Sequence, residues 1–196
     1  MNREDRILTV PNLVSLIRLL CVPLFLWLLF WAPEKHRAAA AFLLGGLGAT
    51  DWVDGYVARH FDQVSTLGKV LDPVADRILL GVGIIAIMID GSVPMWIGYA
   101  TITREVLISA AVLALAAAGA RRIDVQWDGK AGTFALMWAF PLFLASHADE
   151  LSWHAFAGFA AWCFAIPGLI LSWYAAITYI PMARRALIEG RVGSGP

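Results

Sequence analysis

The sequence predicts an all-α integral membrane protein with six transmembrane helices. Of its 196 residues, 60% are hydrophobic and only 15% are charged, and the mean hydropathy of +0.70 is far above that of a soluble domain. Apolar runs of the length that crosses a bilayer occur six times, at about 12–31, 37–59, 68–90, 94–118, 131–147 and 154–181. Little chain remains outside them, which predicts a single membrane domain over residues 1–196.

The positions of Lys and Arg predict how the chain is oriented. With the N-terminus inside, the outer loops hold only Lys35 and Arg37. The inner segments hold Arg3, Arg6, Arg59, Lys69, Arg121, Arg122, Lys130, Arg184, Arg185 and Arg191. By the positive-inside rule, both termini of this multi-pass protein face the cytoplasm, in the cytoplasmic (inner) membrane. The formal net charge is zero, and no basic block suggests binding to nucleic acid.

The two ends of the chain are expected to lie outside the bilayer core. Residues 1–10 mix charged and apolar positions, which suits either a short interfacial helix or an ordered tail. Residues 186–196 end in a Gly-rich sequence and are expected to form a flexible tail.

Four carboxylates interrupt the apolar pattern at helical spacing. Asp51 and Asp54 are three residues apart and Asp72 and Asp76 are four apart, so each pair lies on one helix face. One uncompensated Asp at the centre of a bilayer costs roughly 2.5–3.5 kcal/mol. Oxygen-only ligands suit a hard cation such as Mg²⁺ or Mn²⁺, and two such ions balance four negative charges. The pattern therefore predicts a metal site.

Other polar or small residues in the predicted spans carry weaker signals. Gly45-Gly46-Leu-Gly48 superficially resembles a nucleotide-binding loop, but no strand precedes it, and small residues favour close packing of membrane helices. Arg18 and the adjacent pair Arg104-Glu105 are rare inside membranes, which predicts anion-facing roles for both arginines. Arg77, next to Asp76, has either that role or a structural one beside the carboxylates.

The whole pattern from Asp51 to Asp76 is D-x2-D-G-x2-A-R-x8-G-x3-D-x3-D. It resembles the signature of the CDP-alcohol phosphatidyltransferase family, and every specified position is filled. Three further elements are similar to the branch that makes phosphatidylglycerol phosphate and cardiolipin, so the resemblance extends over nearly the whole chain. They are Pro11-Asn-Leu-Val-Ser15-Leu-Ile-Arg18, Arg104-Glu105 and Gly129-Lys130-Ala-Gly-Thr133.

The resemblance implies a phosphatidyltransferase of phospholipid biosynthesis that uses CDP-diacylglycerol as donor and a glycerol-type alcohol as acceptor, and releases CMP. It implies two Mg²⁺ or Mn²⁺ ions, surrounding membrane lipids and a homodimer. The metal ligands would be Asp51, Asp54 and Asp72, with Asp76 as a further ligand or close neighbour that takes the acceptor proton. Residues implied to bind the CDP-lipid are Asn12, Ser15, Gly55, Arg59 and Ser65. Those implied to bind the acceptor are Arg18, Arg104 and Lys130.

One departure from the family pattern leaves the acceptor open. Gly132 stands where enzymes that use glycerol 3-phosphate tend to have a second lysine. Either a cation for the acceptor phosphate is missing, or Gly132 packs against a neighbouring helix. Glycerol 3-phosphate and phosphatidylglycerol both remain candidates, ahead of inositol phosphate or serine.

Two other classes of function fit the sequence less well. A divalent-metal transporter would also place carboxylates in the membrane, but it has no evident need for Gly55 or Arg59. An inactive structural paralogue is disfavoured because all four carboxylates are present.

Overall fold

A computed structural model describes residues 10–32, 36–61, 68–118 and 127–192. All regular structure in these ranges is helical, and it forms six helices at the positions of the six predicted apolar runs. The helices are α1 Val10–Phe30, α2 Arg37–Phe61, α3 Gly68–Asp90, α4 Met95–Ala117, α5 Trp127–Ser146 and α6 His154–Val192. The interfacial segment proposed for residues 1–10 lies outside the described residues except for Val10.

Two helix ends differ from the sequence prediction. The first turn of α5 includes Gly129 and Lys130, and Asp128 in the same turn is favourably placed at the positive end of the helix dipole. The last helix continues to Val192, so it includes part of the segment that was expected to be a flexible tail. Good helix formers such as Ala186, Leu187 and Glu189 explain the extension.

The helices pack around one apolar core. The first helix contacts α2 and α3, the fifth contacts α2 and α6, and the fourth contacts α3 and α6. Ala157, Ala161 and Ala165 form a fully buried stripe on α6, and such small residues let two helices approach closely. The predicted packing role of the glycines in α2 is confirmed at Gly48, where an added Cβ would lie 2.9 Å from Met137 Cγ of α5.

The outer surface carries large apolar side chains. Phe156, Phe159, Ile170 and Ile177 are all exposed on α6. In the described part of the chain, two helical segments are long and apolar enough to cross a membrane, Met95–Leu115 and His154–Ala183. Together these features indicate that the protein associates with a membrane.

An ion pair joins the start of α2 to the end of α3. Arg37 Nε lies 2.9 Å from Asp90 Oδ2, and Arg37 Nη2 donates to Asp90 Oδ1 at 3.2 Å. The Asp90 side chain is only 1% exposed, and it also accepts a hydrogen bond from Ser92 Oγ. Arg37 Nη1 additionally donates to the carbonyl of His147 at the end of α5. This group, called here the Arg37–Asp90 clamp, ties three helices together at one end of the molecule.

A turn after α3 sets the position of the clamp. Gly91 has φ of +80°, a conformation that favours glycine. Its N–H donates to Met88 O, and the N–H of Ser92 donates to Ile87 O. These bonds form a Schellman motif, which ends the helix and satisfies its last carbonyls.

The clamp and a second contact set the register between α2 and α3. Seven residues after Arg37 comes Leu44, and seven residues before Asp90 comes Gly83. A Cβ on Gly83 would lie 3.7 Å from Leu44 Cδ1, so these two positions are neighbours as well. The two helices therefore run antiparallel, as expected for helices joined by a short connection.

Candidate functional site

The register between α2 and α3 places two of the four predicted metal ligands at one level. Seven residues beyond the Leu44–Gly83 contact, in the direction away from the clamp, lie Asp51 on α2 and Asp76 on α3. Each is about 10 Å further along its helix axis. A seven-residue step is close to two helical turns, so it also returns to nearly the same helix face. The backbone thus places Asp51 and Asp76 at about equal height on the two helices.

The other two carboxylates lie one turn beyond this level. Asp54 follows Asp51 on α2, and Asp72 precedes Asp76 on α3. Both pairs belong to continuous helices, so the predicted i, i+3 and i, i+4 spacings do correspond to shared faces. Their side chains lie outside the described part of the structure, and their role as ligands stays a prediction. The donor set, four carboxylates brought to one end of two adjacent helices, fits a hard divalent cation.

A cavity of about 230 Å³ lies next to the carboxylate level. Among the described residues, its polar lining consists of Arg18, Arg77, Glu105 and Thr133, from four different helices. The remaining described lining residues are apolar side chains or glycines, namely Leu44, Leu47, Gly48, Leu79, Leu80, Gly83, Ile84, Met137 and Phe140. A cavity with a few polar groups on an otherwise apolar wall is typical of a ligand site.

The described cavity residues of α2 and α3 lie on the clamp side of the carboxylates. On α2 they are Leu44, Leu47 and Gly48, and on α3 they run from Arg77 to Ile84. The α3 residues extend over about 10 Å of helix axis. The described part of the cavity wall therefore runs from next to Asp76 toward the Arg37–Asp90 clamp.

The three residues predicted to bind the acceptor have different surroundings. Arg18 is 4% exposed and lines the cavity, as expected for an arginine that faces a polar site. Lys130 is exposed on the first turns of α5. It precedes the cavity residues Thr133 and Met137 by three and seven positions, so all three share one helix face.

Arg104 is buried at the junction of α4, α5 and α6. It is 9% exposed and is not among the described residues that line the cavity. Its Nε donates to the carbonyl of Ser172 at 3.4 Å, and its Nη1 donates to Glu105 Oε1. Its Nη2 lies 3.7 Å from where a Cβ on Gly129 would be. The guanidinium group thus bonds protein atoms, and an acceptor-binding role for it stays a prediction.

The sequence does not predict a role for two residues that line the cavity. In the sequence Glu105 stands out only as the neighbour of Arg104, yet Glu105, whose side chain is 29% exposed, lines the cavity and Arg104 does not. Thr133 stands out only as part of a motif. Its hydroxyl donates to Gly129 O at 2.9 Å, which leaves its oxygen lone pairs as acceptors. Helical spacing from Lys130 was the one signal that pointed to Thr133.

The structure decides between the two explanations of Gly132. A Cβ there would lie 2.6 Å from the backbone nitrogen of Ser172 and 2.7 Å from its Oγ. The position therefore faces α6 and not the cavity. The packing explanation is confirmed, and the expectation that a lysine at 132 supplies a cation to an acceptor pocket is wrong for this chain.

The residues predicted to bind the CDP-lipid occupy the end opposite the clamp. Asn12 and Ser15 are in the first turns of α1, and Gly55 and Arg59 are in the last turns of α2. Their side chains are outside the described part of the structure, and Ser65 lies outside the described residues altogether. Their contacts remain predictions.

Comparison with known proteins gives consistent matches over the chain. A family model described as CDP-alcohol phosphatidyltransferase matches residues 8–180. A Streptomyces coelicolor protein named cardiolipin synthase (CMP-forming) is 38% identical over 188 residues, covering 93% of this chain and 86% of the relative. The Escherichia coli protein named CDP-diacylglycerol--glycerol-3-phosphate 3-phosphatidyltransferase is 31% identical over 185 residues, covering 92% and 97%.

Proposed function

The chain belongs to the CDP-alcohol phosphatidyltransferase family, and we propose that it transfers the phosphatidyl group of CDP-diacylglycerol to a glycerol-type alcohol. The product is a precursor or member of the phosphatidylglycerol and cardiolipin lipids, in keeping with the names of its relatives. The observation that carries the proposal is the α2–α3 register. It supports the proposal because Asp51 and Asp76 lie at about the same height, with Asp54 and Asp72 one turn further, near a cavity lined by Arg18 and Arg77.

The reaction is a displacement at phosphorus. The acceptor hydroxyl oxygen forms a bond to the phosphorus that carries diacylglycerol, the bond from that phosphorus to CMP breaks, and CMP leaves. Asp51, Asp54 and Asp72 would hold the divalent cations, and Asp76 would take the proton of the acceptor hydroxyl. When bound, such ions neutralise the phosphates and stabilise both the attacking and the leaving oxygen.

The two substrates are proposed to occupy opposite sides of the carboxylate level. The residues assigned to the nucleotide, such as Gly55 and Arg59, lie beyond the carboxylates, toward the 62–67 connection. The described cavity residues of α2 and α3 lie on the other side. Attacking and leaving oxygens lie roughly in line during phosphoryl transfer, so an acceptor in the cavity and a nucleotide on the far side suit the chemistry. Arg18, Arg77 and Lys130 are basic residues on the cavity side in the described part of the chain.

The membrane arrangement follows from the same proposal. All six helices would cross the bilayer, with both termini and the carboxylate end on the cytoplasmic side, where CDP-lipid and CMP are accessible. The Lys and Arg distribution supports this orientation. Two Mg²⁺ or Mn²⁺ ions and a homodimer complete the proposal.

A direct assay tests this function. Purified protein in detergent micelles receives labelled CDP-diacylglycerol together with glycerol 3-phosphate, phosphatidylglycerol, inositol phosphate or serine, and both CMP and lipid products are separated. We expect CMP release with a glycerol-type acceptor only, dependent on added Mg²⁺ or Mn²⁺ and lost in excess chelator. The absence of CMP release with every acceptor would contradict the phosphatidyltransferase function, and full turnover in chelator would contradict the metal site.

A further inference from the structure

The cavity wall contains a carboxylate where an anionic substrate is expected. Arg18 and Arg77 suit a phosphate, but Glu105 lines the same cavity and repels one. An ionised carboxylate accepts hydrogen bonds only, at two oxygens with about four lone-pair sites. Its natural partners in a substrate are hydroxyl groups, and a glycerol-type acceptor carries one beside the hydroxyl that reacts.

Arg104 holds this carboxylate in place. Its Nη1 bonds Glu105 Oε1, while its Nε bonds the Ser172 carbonyl of α6 and its Nη2 lies against Gly129 of α5. The bond from Arg104 uses one lone pair of one carboxylate oxygen, so the carboxylate retains capacity for further donors. A carboxylate that is held in this way through two neighbouring helices is preorganised for selective binding.

We infer, on the basis of the proposed function, that Glu105 binds the non-reacting hydroxyl of the acceptor's glycerol group and thereby selects glycerol-type acceptors. Arg104 is then a positioning residue that orients Glu105 from behind the cavity wall. Arg18 and Arg77, which line the same cavity, bind the acceptor phosphate. The reactive hydroxyl is left to face the carboxylate level of α2 and α3.

The test compares acceptors that differ by one hydroxyl. The glycerol acceptor that the wild-type protein uses, glycerol 3-phosphate or phosphatidylglycerol, is paired with its 1,3-propanediol analogue, which keeps the reacting primary hydroxyl and lacks the secondary one. Removing a substrate hydroxyl from a site built to bind it leaves the site's polar group unpaired. Because hydrogen bonds to charged groups contribute most, we expect wild-type kcat/KM to fall at least about tenfold with the analogue.

Variants at Glu105 then assign this preference. Glu105→Ala should bring the ratio of kcat/KM for glycerol over propanediol close to one. Glu105→Gln keeps the side-chain shape and an uncharged oxygen that accepts hydrogen bonds, so it should leave an intermediate ratio. The KM for CDP-diacylglycerol should stay unchanged in both. Glu150→Gln, at an exposed carboxylate in the α5–α6 connection, is the matched control and should keep the wild-type preference. Thermal unfolding, followed by tryptophan fluorescence, reports whether each variant is folded.

Arg104→Lys separates positioning from direct binding. If Arg104 orients Glu105, the loss of its planar guanidinium group lowers kcat/KM for the glycerol acceptor more than for the propanediol analogue. The preference for glycerol over propanediol then falls. If Arg104 itself bound the acceptor phosphate, kcat/KM would fall equally for both acceptors and the preference for glycerol would persist. That result would overturn the positioning role of Arg104.

The inference about Glu105 is overturned if wild-type protein uses both acceptors equally well, or if folded Glu105→Gln and Glu105→Ala retain the full preference. In either case CMP release continues and the phosphatidyltransferase function stands. Loss of CMP release from wild-type protein with every acceptor would instead refute the function, and the inference with it.

Discussion

The two ends of the α2–α3 pair use charge in opposite ways. At one end, Asp90 is almost fully buried, and it bonds Arg37 through both carboxylate oxygens while Ser92 donates a third bond. At the other end, two of the four aspartates, Asp51 and Asp76, occupy equivalent heights in the same register. The first end pairs the Asp90 carboxylate with the Arg37 guanidinium group. The second end has four aspartates on neighbouring turns of the two helices.

This difference indicates what each end is for. A buried ion pair with satisfied hydrogen bonds specifies which helices meet and at what height, and Arg37 and Asp90 do so for α2 and α3. Carboxylates gathered on adjacent helices repel one another unless cations are supplied, and we propose that bound metal supplies them. The same two helices thus carry a structural contact and, in our proposal, the metal site, and the described cavity residues of α2 and α3 lie between the two.

Substitution of Asp76 should have the largest effect on turnover. Asp76→Asn keeps the side-chain size but removes the proposed base, and the loss of such a group typically lowers rates by about 10²–10⁴-fold. Binding of CDP-diacylglycerol and the unfolding temperature should change little. The rate of CMP release from folded protein is the measurement, and retention of more than about a tenth of the wild-type rate would contradict the assignment.

The same substitution at the other end of α3 should have the reverse profile. Asp90→Asn leaves the Arg37 guanidinium without its buried counter-charge, and breaking a buried pair destabilises a protein by on the order of 3 kcal/mol. We expect a clear fall in the midpoint of thermal unfolding, with turnover per folded molecule close to wild type. A variant with normal stability would show that the clamp does not hold the helix pair together.

Gly132→Lys should destabilise the protein without lowering the KM for the acceptor. Its side chain would enter the contact with Ser172 and Gly168 of α6, and overpacking of this kind costs about 1–3 kcal/mol. Comparison with Ala131→Lys, one position away on α5, controls for adding a lysine to this helix. If Gly132→Lys unfolds at the wild-type temperature and lowers the acceptor KM, the packing explanation is wrong.

The smallest effects are expected in the cavity wall between the two ends. Gly83→Ala adds a Cβ at ordinary contact distance from Leu44 and should be tolerated, with slight stabilisation because alanine favours helix. Gly83→Leu fills part of the cavity and should raise the acceptor KM, with little change in the KM for CDP-diacylglycerol. Equal acceptor KM values for the two variants would place the acceptor outside the cavity.

Much of this protein was predictable from local sequence. Apolar runs predicted the positions of all six helices, because an apolar segment that leaves water must bond its backbone polar groups, which a helix does within the segment. The spacing of Asp51, Asp54, Asp72 and Asp76 predicted helices, and all four positions are helical, because helical periodicity depends on nothing outside the helix. The end of α6 was missed because helix propensity continues past the apolar run.

The contents of the cavity depended on tertiary structure. Arg104 and Glu105 are adjacent and equally polar in the sequence, yet the arginine bonds α6 while the glutamate lines the cavity. Gly132 and Thr133 are also adjacent, and only Thr133 faces the cavity. Neighbours in a helix point about 100° apart, so periodicity states which residues share a face but not which helix that face meets. That outcome depends on how six helices pack together, and it separates the residues that hold the site from those that line it.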